Sequence, residues 1–176
     1  NRGAGYCIFN DIAICTQIAI RDHALKKILI IDLDVHQGDG TASILKNDDN
    51  LFTFSMHCEK NYPLKKEKSN LDINLKMGTE NEEYLDILKK NLQHLEKIKS
   101  DMIFFQAGVD TLHSDNLGHL SLSRDGLRDR NKLILDFAKK KGNPLVVFMG
   151  GGYSIPIKHT VKAFKDLFTQ CALYPF

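Results

Sequence analysis

Two carboxylates and an imidazole stand at alternate positions in Asp32-Leu33-Asp34-Val35-His36, after the apolar run Ile28-Leu29-Ile30-Ile31 and before the turn-forming Gly38-Asp39-Gly40. Alternate residues of an extended chain share one face, so Asp32, Asp34 and His36 are expected to point the same way. Like charges crowded at the end of a buried strand repel or lose solvation unless a cation or a proton network compensates them. A metal site is the economical reading. Asp110, in Gly108-Val109-Asp110, and Tyr153, in Gly150-Gly151-Gly152-Tyr153, follow two further apolar runs in the same manner. Asp34, His36 and Asp110 make a three-ligand set of the kind that holds catalytic zinc and leaves a position for water or substrate. Ferrous iron suits the same ligand types. Water bound at such a site has a lowered pKa and attacks a polarised carbonyl. The Tyr153 phenol suits hydrogen bonding to a developing oxyanion, and the three glycines before it permit unusual backbone conformations.

Each residue also has a plainer reading. Asp34 and Asp110, taken singly, are helix or turn caps; together, with His36 two residues from Asp34, they favour the metal. Asp32 and Asp39 read as carboxylates that orient groups around a metal. The alternatives are a buried Asp32 satisfied by backbone amides and an Asp-Gly turn at Asp39. Tyr153 is otherwise an ordinary loop tyrosine. His57 reads as structural, His113 and His119 as rim or surface residues, and His23, His94 and His159 carry no signal. A phosphate loop is disfavoured: Gly38-Asp39-Gly40-Thr41-Ala42-Ser43 lacks the last glycine of G-x-G-x-x-G, no G-K-[ST] occurs, and the adjacent carboxylates repel phosphate.

The elements that must position these residues alternate between helix and strand. Strands are predicted over Lys27 to Leu33, Leu51 to Met56, Met102 to Ala107 and Leu145 to Met149. Helices are predicted from about Asn10 to Leu25, from near Gly40, and from Thr79, whose pairing with Glu82 has the capping-box spacing. The last of these carries the stripe Leu85, Leu88, Leu92, Leu95 and Ile98. A further helix runs from a Ser123 cap to near Gly142, and a last one begins at Pro156, a residue suited to a first turn. Strands separated by helices imply parallel β-α-β units, with ligands beyond the carboxyl ends of the strands. Those ends are where Asp34, His36, Asp110 and Tyr153 fall.

Bulk properties narrow the partners. In 176 residues, hydrophobic content of 43% and charged content of 26% describe one globular domain without repeats or linkers. The 24 Lys plus Arg against 22 Asp plus Glu leave a net charge of +2, which gives no reason to invoke nucleic acid or membrane. No stretch approaches the ~18 consecutive apolar residues of a membrane span. Four cysteines without C-x-x-C spacing read as reduced, mostly buried thiols of a cytoplasmic protein, or a nuclear one in a eukaryote.

Asp32-Leu-Asp34-Val-His36-Gln-Gly38-Asp39-Gly40-Thr41, preceded by Gly5-Tyr6-Cys7-Ile8-Phe9-Asn10-Asp11, resembles the histone deacetylase family. Gln106-Ala107-Gly108-Val109-Asp110-Thr111, Leu117-Gly118-His119-Leu120-Ser121-Leu122-Ser123 and Gly150-Gly151-Gly152-Tyr153 match later blocks of that family in order. Gly78-Thr79-Glu80-Asn81-Glu82-Glu83-Tyr84-Leu85 looks most like the class IV branch and its bacterial relatives. The resemblance implies a three-layer α/β/α fold with a mainly parallel sheet. It also implies a zinc-dependent hydrolase that removes acetyl or longer acyl groups from lysine side-chain amides of proteins and peptides, or from small acylated amines. By position, Asp34, His36 and Asp110 resemble the zinc ligands, and Tyr153 the residue that stabilises the tetrahedral intermediate. Tyr6 stands where the family usually has a phenylalanine of the acyl-lysine tunnel, and Gly5 and Gly151 are implied in substrate binding beside it. Asp32, Asp34, His36 and Ser55 match a site for a monovalent cation such as K+. Asp32 and Asp39 resemble the carboxylates that orient a catalytic His-His pair.

That pair is expected a few residues before Gly5, and no His-His occurs in the sequence. The 176 residues are therefore read as the C-terminal portion of a deacetylase domain whose first strands and part of whose acyl tunnel lie upstream. Loss of general acid–base help costs typically ~10²–10⁴-fold in rate without abolishing metal binding. The alternative function is accordingly a non-catalytic metal-binding or partner-docking remnant.

Overall fold

The four apolar runs form β1 (Ile28–Asp32), β2 (Leu51–Cys58), β4 (Met102–Gln106) and β5 (Leu145–Phe148), and a fifth strand, β3 (Leu71–Leu75), lies between β2 and β4 in the sequence. The computed structural model describes residues 3–176. All pairings are parallel, in the order β3-β2-β1-β4-β5. Every residue of β1 is buried, as a central parallel strand covered on both faces requires.

Alternation sorts the side chains into two layers. Leu29 and Ile31 join Phe54, Met56, Ile103 and Phe105 in the larger core cluster, whereas Ile28 and Ile30 join Leu51 and Phe104 in the smaller. Helices α1 (Asp11–His23) and α2 (Asp39–Leu45) cover the smaller cluster with Ile12, Ala13, Ala19 and Leu45. Helices α3 (Asn81–Leu95), α4 (Arg124–Lys141) and α5 (Lys158–Leu173) cover the larger with Leu88, Ile134 and Leu167, among others. Each such side chain, fully buried, contributes roughly 1.5–3 kcal/mol. The result is the expected three-layer α/β/α arrangement.

Local sequence explains three of the helix ends. Asn10 Oδ1 accepts the Ala13 N–H at 2.8 Å to start α1, and Ser123 Oγ accepts the Gly126 N–H at 3.1 Å to start α4. Helix α4 stops at Gly142, whose φ of 66° suits a residue without a Cβ. The Thr79–Glu82 capping box does not form. Thr79 Oγ1 donates to the Lys76 carbonyl at 2.9 Å, and Glu80 occupies the N-cap without a side-chain bond. Acidic Glu82 and Glu83 instead complement the positive end of the α3 dipole. Pro156 lies before α5, which starts at Lys158, and so stands outside its first turn.

Strand β3 departs from the sequence expectation. Asp72 and Asn74 break its apolar pattern, and it sits at the sheet edge, reached from β2 through residues 59–70 without a helix. The cysteines are less buried than expected: only Cys58 is buried, Cys7 is exposed, and all four are free. No described helix is long and apolar enough to cross a membrane.

From β1 the chain moves through β2 to β3 on one side of the sheet, and β4 and β5 lie on the other. The order thus reverses between β1 and β4. Open α/β sheets bind ligands in the crevice beyond the carboxyl ends of the strands at such a reversal.

Candidate metal centre

Strands β1 and β4 leave the sheet side by side, with Asp32 paired to Gln106 in register. Sheet-like bonding continues past their ends: Leu33 N donates to Gln106 O at 3.1 Å, Ala107 N to Phe148 O at 3.0 Å, and Val109 N to Gly151 O at 2.8 Å. Leu33 and Val35 remain in the larger core cluster. The alternation therefore persists beyond β1 and turns Asp34 and His36 away from that core, as their spacing suggests.

Asp34, His36 and Asp110 converge there. His36 Nδ1 lies 3.0 Å from Asp34 Oδ1 and 3.2 Å from Asp110 Oδ2. One ligand atom from each of the three falls within 4.8 Å of the others. Backbone amides fix the carboxylates: Val35 N–H donates to Asp110 Oδ1 at 2.9 Å, His36 N–H to Asp34 Oδ1 at 2.9 Å, and Gly151 N–H to Asp34 Oδ2 at 2.7 Å.

The glycines around the cluster are required by space. A Cβ on Gly108 would stand 2.2 Å from Asp34 Oδ2, and one on Gly151 would stand 2.0 Å from Asp110 Oδ2. Gly150, Gly151 and Gly152 all lack a positive φ. Close approach, rather than the unusual backbone conformation expected from the sequence, accounts for the run before Tyr153.

Electrostatics show what the cluster favours. Burial works against a charged His36, but hydrogen bonds to Asp110 and Asp34 outweigh it and push its pKa up to about 10. Burial, then the Asp34 charge, pushes Asp110 up to about 7. Burial alone would raise Asp34 too, yet hydrogen bonds with His36 and Asp110 hold it below the usual carboxylate range. Buried carboxylates that draw a proton onto a neighbouring imidazole are stabilised by positive charge. Two carboxylates, one imidazole and a glycine-lined approach fit a divalent cation of the zinc type.

Asp32 supports this cluster from beneath. Its Oδ1 accepts the Asp34 N–H at 3.0 Å, and burial, then the Asp34 charge, raises its pKa well above normal. Asp39 opens α2 rather than forming an Asp-Gly turn; among the described residues its side chain makes no hydrogen bond to the cluster. Ser55 is the register partner of Asp32 on β2, and its Oγ lies 2.9 Å from His57 Nδ1. His57 is fully buried, with its pKa lowered by burial. His113 and His119 are exposed.

Tyr153 is 43% exposed and Tyr6, at φ 64°, is 83% exposed; their ring centroids lie 5.7 Å apart. Gly5 precedes Tyr6 with φ 56°. Two residues of this neighbourhood escaped the sequence reading. A Cβ on Gly5 would contact the Tyr62 ring at 3.7 Å, which brings Tyr62 to the same rim. Its one sequence signal is the following Pro63, since the residue before a proline favours extended or turn backbone. Asp115 is the other: its Oδ2 accepts the Tyr153 N–H at 2.6 Å, and its Oδ1 accepts the Leu117 and Gly118 N–H groups at 2.9 Å. An aspartate in a polar loop carries no sequence signal for that task.

The histone deacetylase domain family matches residues 1–169. The chain belongs to the histone deacetylase family. It is 46% identical over 153 residues to an uncharacterized protein of Picosynechococcus, covering 86% of this chain and 51% of that protein. It is 33% identical over 156 residues to histone deacetylase 2 of Arabidopsis thaliana, covering 86% of this chain and 40% of that enzyme. Among solved structures, an HDAC homolog from Aquifex aeolicus superimposes with a TM-score of 0.83 at 24% identity, over 96% of this chain and 47% of the homolog. An acetylpolyamine aminohydrolase from Burkholderia pseudomallei gives 0.79 at 22% identity, over 95% and 50%. The last two establish the deacetylase fold. The chain spans about half the length of the curated relatives it matches.

Proposed function

We propose that the protein is a zinc-dependent hydrolase that removes acetyl or longer acyl groups from lysine side-chain amides, or from small acylated amines. The observation that carries this reading is the convergence of Asp34, His36 and Asp110, one ligand atom of each within 4.8 Å of the others, at the sheet reversal of a deacetylase-family fold. Those three residues would hold zinc. The ion, when bound, supplies Lewis acidity toward an acyl carbonyl and lowers the pKa of water.

The chain's own groups do the positioning. Val35 and Gly151 N–H groups hold the Asp110 and Asp34 carboxylates. The Tyr153 hydroxyl donates a hydrogen bond to the substrate oxygen as it gains negative charge, with its backbone pinned by Asp115. Tyr6, with Gly5 and Tyr62, flanks the approach, and Gly151 closes it against the carboxylates. Asp32 and Asp39 orient a proton-transferring histidine pair contributed by sequence N-terminal to this chain. A monovalent cation such as K+ at Asp32, Asp34, His36 and Ser55 belongs to the same reading, supported by the Asp32–Ser55 register.

The full-length protein should hold one zinc per chain and deacylate an acetyl-lysine peptide, a long-acyl-lysine peptide or an acetylated polyamine, with activity lost to a chelator. Zinc without deacylation of any of the three would support the alternative, a metal-binding remnant. Absence of zinc would overturn both metal-binding readings and leave the partner-docking remnant.

A further inference from the structure

Arg130, on α4, has no solvent exposure at all. Burial of a full positive charge is costly unless it is paired and hydrogen-bonded. Among the described residues no carboxylate forms an ion pair with it. Its donors go elsewhere: Nη1 to the Gly108 carbonyl at 2.6 Å and the Leu33 carbonyl at 3.3 Å, Nε and Nη2 to Asn131 Oδ1 at 3.2 and 2.9 Å. The guanidinium carbon stands 5.6 Å from the centre of the Phe105 ring. The two carbonyls are not arbitrary. Leu33 immediately precedes Asp34, and Gly108 lies two residues before Asp110. One side chain from the opposite layer thus ties together the two chain segments that carry the carboxylates.

We infer that Arg130 is a positioning residue for the metal centre, clamping the Leu33 and Gly108 carbonyls so that Asp34 and Asp110 face one ion. This rests on the zinc reading of the site. Asn131 fixes the fork from its other edge and is itself tied to α5 through Gln170 Oε1 at 3.2 Å. A planar fork with several fixed donors suits bridging two carbonyls; an ammonium on a flexible stem does so less well. Groups one step from a metal ligand typically change metal affinity 10–100-fold when removed.

The test uses full-length protein with Arg130→Met, Arg130→Lys and, as a packing control on the same helix, Ile134→Ala. Zinc dissociation constants come from chelator competition, and the visible spectrum of the cobalt-substituted protein reports ligand geometry. Arg130→Met should weaken zinc about 10–100-fold, shift the cobalt bands and lower kcat with KM little changed. Arg130→Lys should fall between it and the native protein. Ile134→Ala should lower Tm while leaving zinc affinity and cobalt bands as in the native protein. If Arg130→Met does not fold, Arg130→Lys decides, and unchanged affinity and spectrum there overturn the inference. Equal losses of affinity in Arg130→Met and Ile134→Ala would reduce Arg130 to packing and also overturn it. Native protein that binds no zinc would overturn the metal reading itself, whereas zinc-binding native protein with unaffected variants overturns this inference alone.

Discussion

Gly151→Ala is the sharpest perturbation of the candidate centre, because one methyl group meets both carboxylates. Its Cβ would lie 2.0 Å from Asp110 Oδ2, 2.9 Å from Asp110 Cγ and 3.2 Å from Asp34 Oδ2. Favourable contact begins near 3.5 Å, so the Asp110 oxygen must retreat by roughly 1.5 Å. Asp110 is fully buried, and Val35 N–H holds its other oxygen at 2.9 Å. Retreat therefore sacrifices a hydrogen bond to a charged group, worth about 1.5–3 kcal/mol. At about 1.4 kcal/mol per decade, zinc affinity should fall roughly 10–100-fold. Gly152→Ala is the matched control. Its Cβ would crowd Val109 Cγ2 at 2.6 Å and Thr160 Cγ2 at 2.7 Å, an overpacking that costs typically about 1–3 kcal/mol of stability without touching a carboxylate. Chelator competition for zinc, paired with thermal unfolding, separates the two. Native-like zinc affinity in Gly151→Ala, or equal affinity losses in both variants, would refute the steric account of this glycine run.

Further outcomes follow from the same geometry. His36→Ala and Asp110→Asn should each remove stoichiometric zinc by metal analysis; one zinc per chain in both would mean the ligands are wrong. Tyr153→Phe should keep zinc but lower turnover by about 10² or more, and unchanged kcat would end its role toward the oxyanion. Asp115→Ala should lower kcat by roughly tenfold, about the worth of one charged hydrogen bond, again with zinc retained; a zinc loss equal to that of His36→Ala would show that Asp115 acts on the metal site instead. His57 gives a pH prediction. Burial lowers its pKa, so below about 6.5 the unfolded chain takes up a proton that the folded one refuses. The stability it contributes is present above that pH and is lost as pH falls toward the folded value, by up to about 1.4 kcal/mol per unit. Denaturant titrations at pH 7 and pH 5.5 should show a smaller drop for His57→Gln than for the native protein, and equal drops would refute this.

What the sequence discloses is what one segment does on its own. The apolar run at Ile28 to Ile31 and the alternation after it announce a buried strand and a polar cluster on one side, and the structure keeps that alternation through Val35. The caps at Asn10 and Ser123 work within three residues and were equally legible. Relations between distant segments were not. Nothing in the local pattern of Arg130 tells it from a surface arginine of α4, since its partners Leu33 and Gly108 are 97 and 22 residues away. Asp115 and Tyr153, 38 residues apart, meet only because β4 and β5 pair. Strand β3 escaped because an edge strand needs fewer apolar residues, and its pairing with β2 is a relation between distant segments.

The glycines show how the two kinds of information combine. Glycine at Gly150, Gly151 and Gly152 suggests backbone freedom when the sequence is considered alone, and three glycines before a tyrosine invite the idea of a mobile loop. The fold gives them the opposite task. Gly151 packs its α-carbon against two buried carboxylates and donates its N–H to one of them, which makes the segment a wall of the cluster. Tyr153 then leaves that wall held by Asp115. In the role proposed for Tyr153, a residue whose backbone N–H is already held by Asp115 would meet the substrate oxygen without the full entropy cost of ordering its loop.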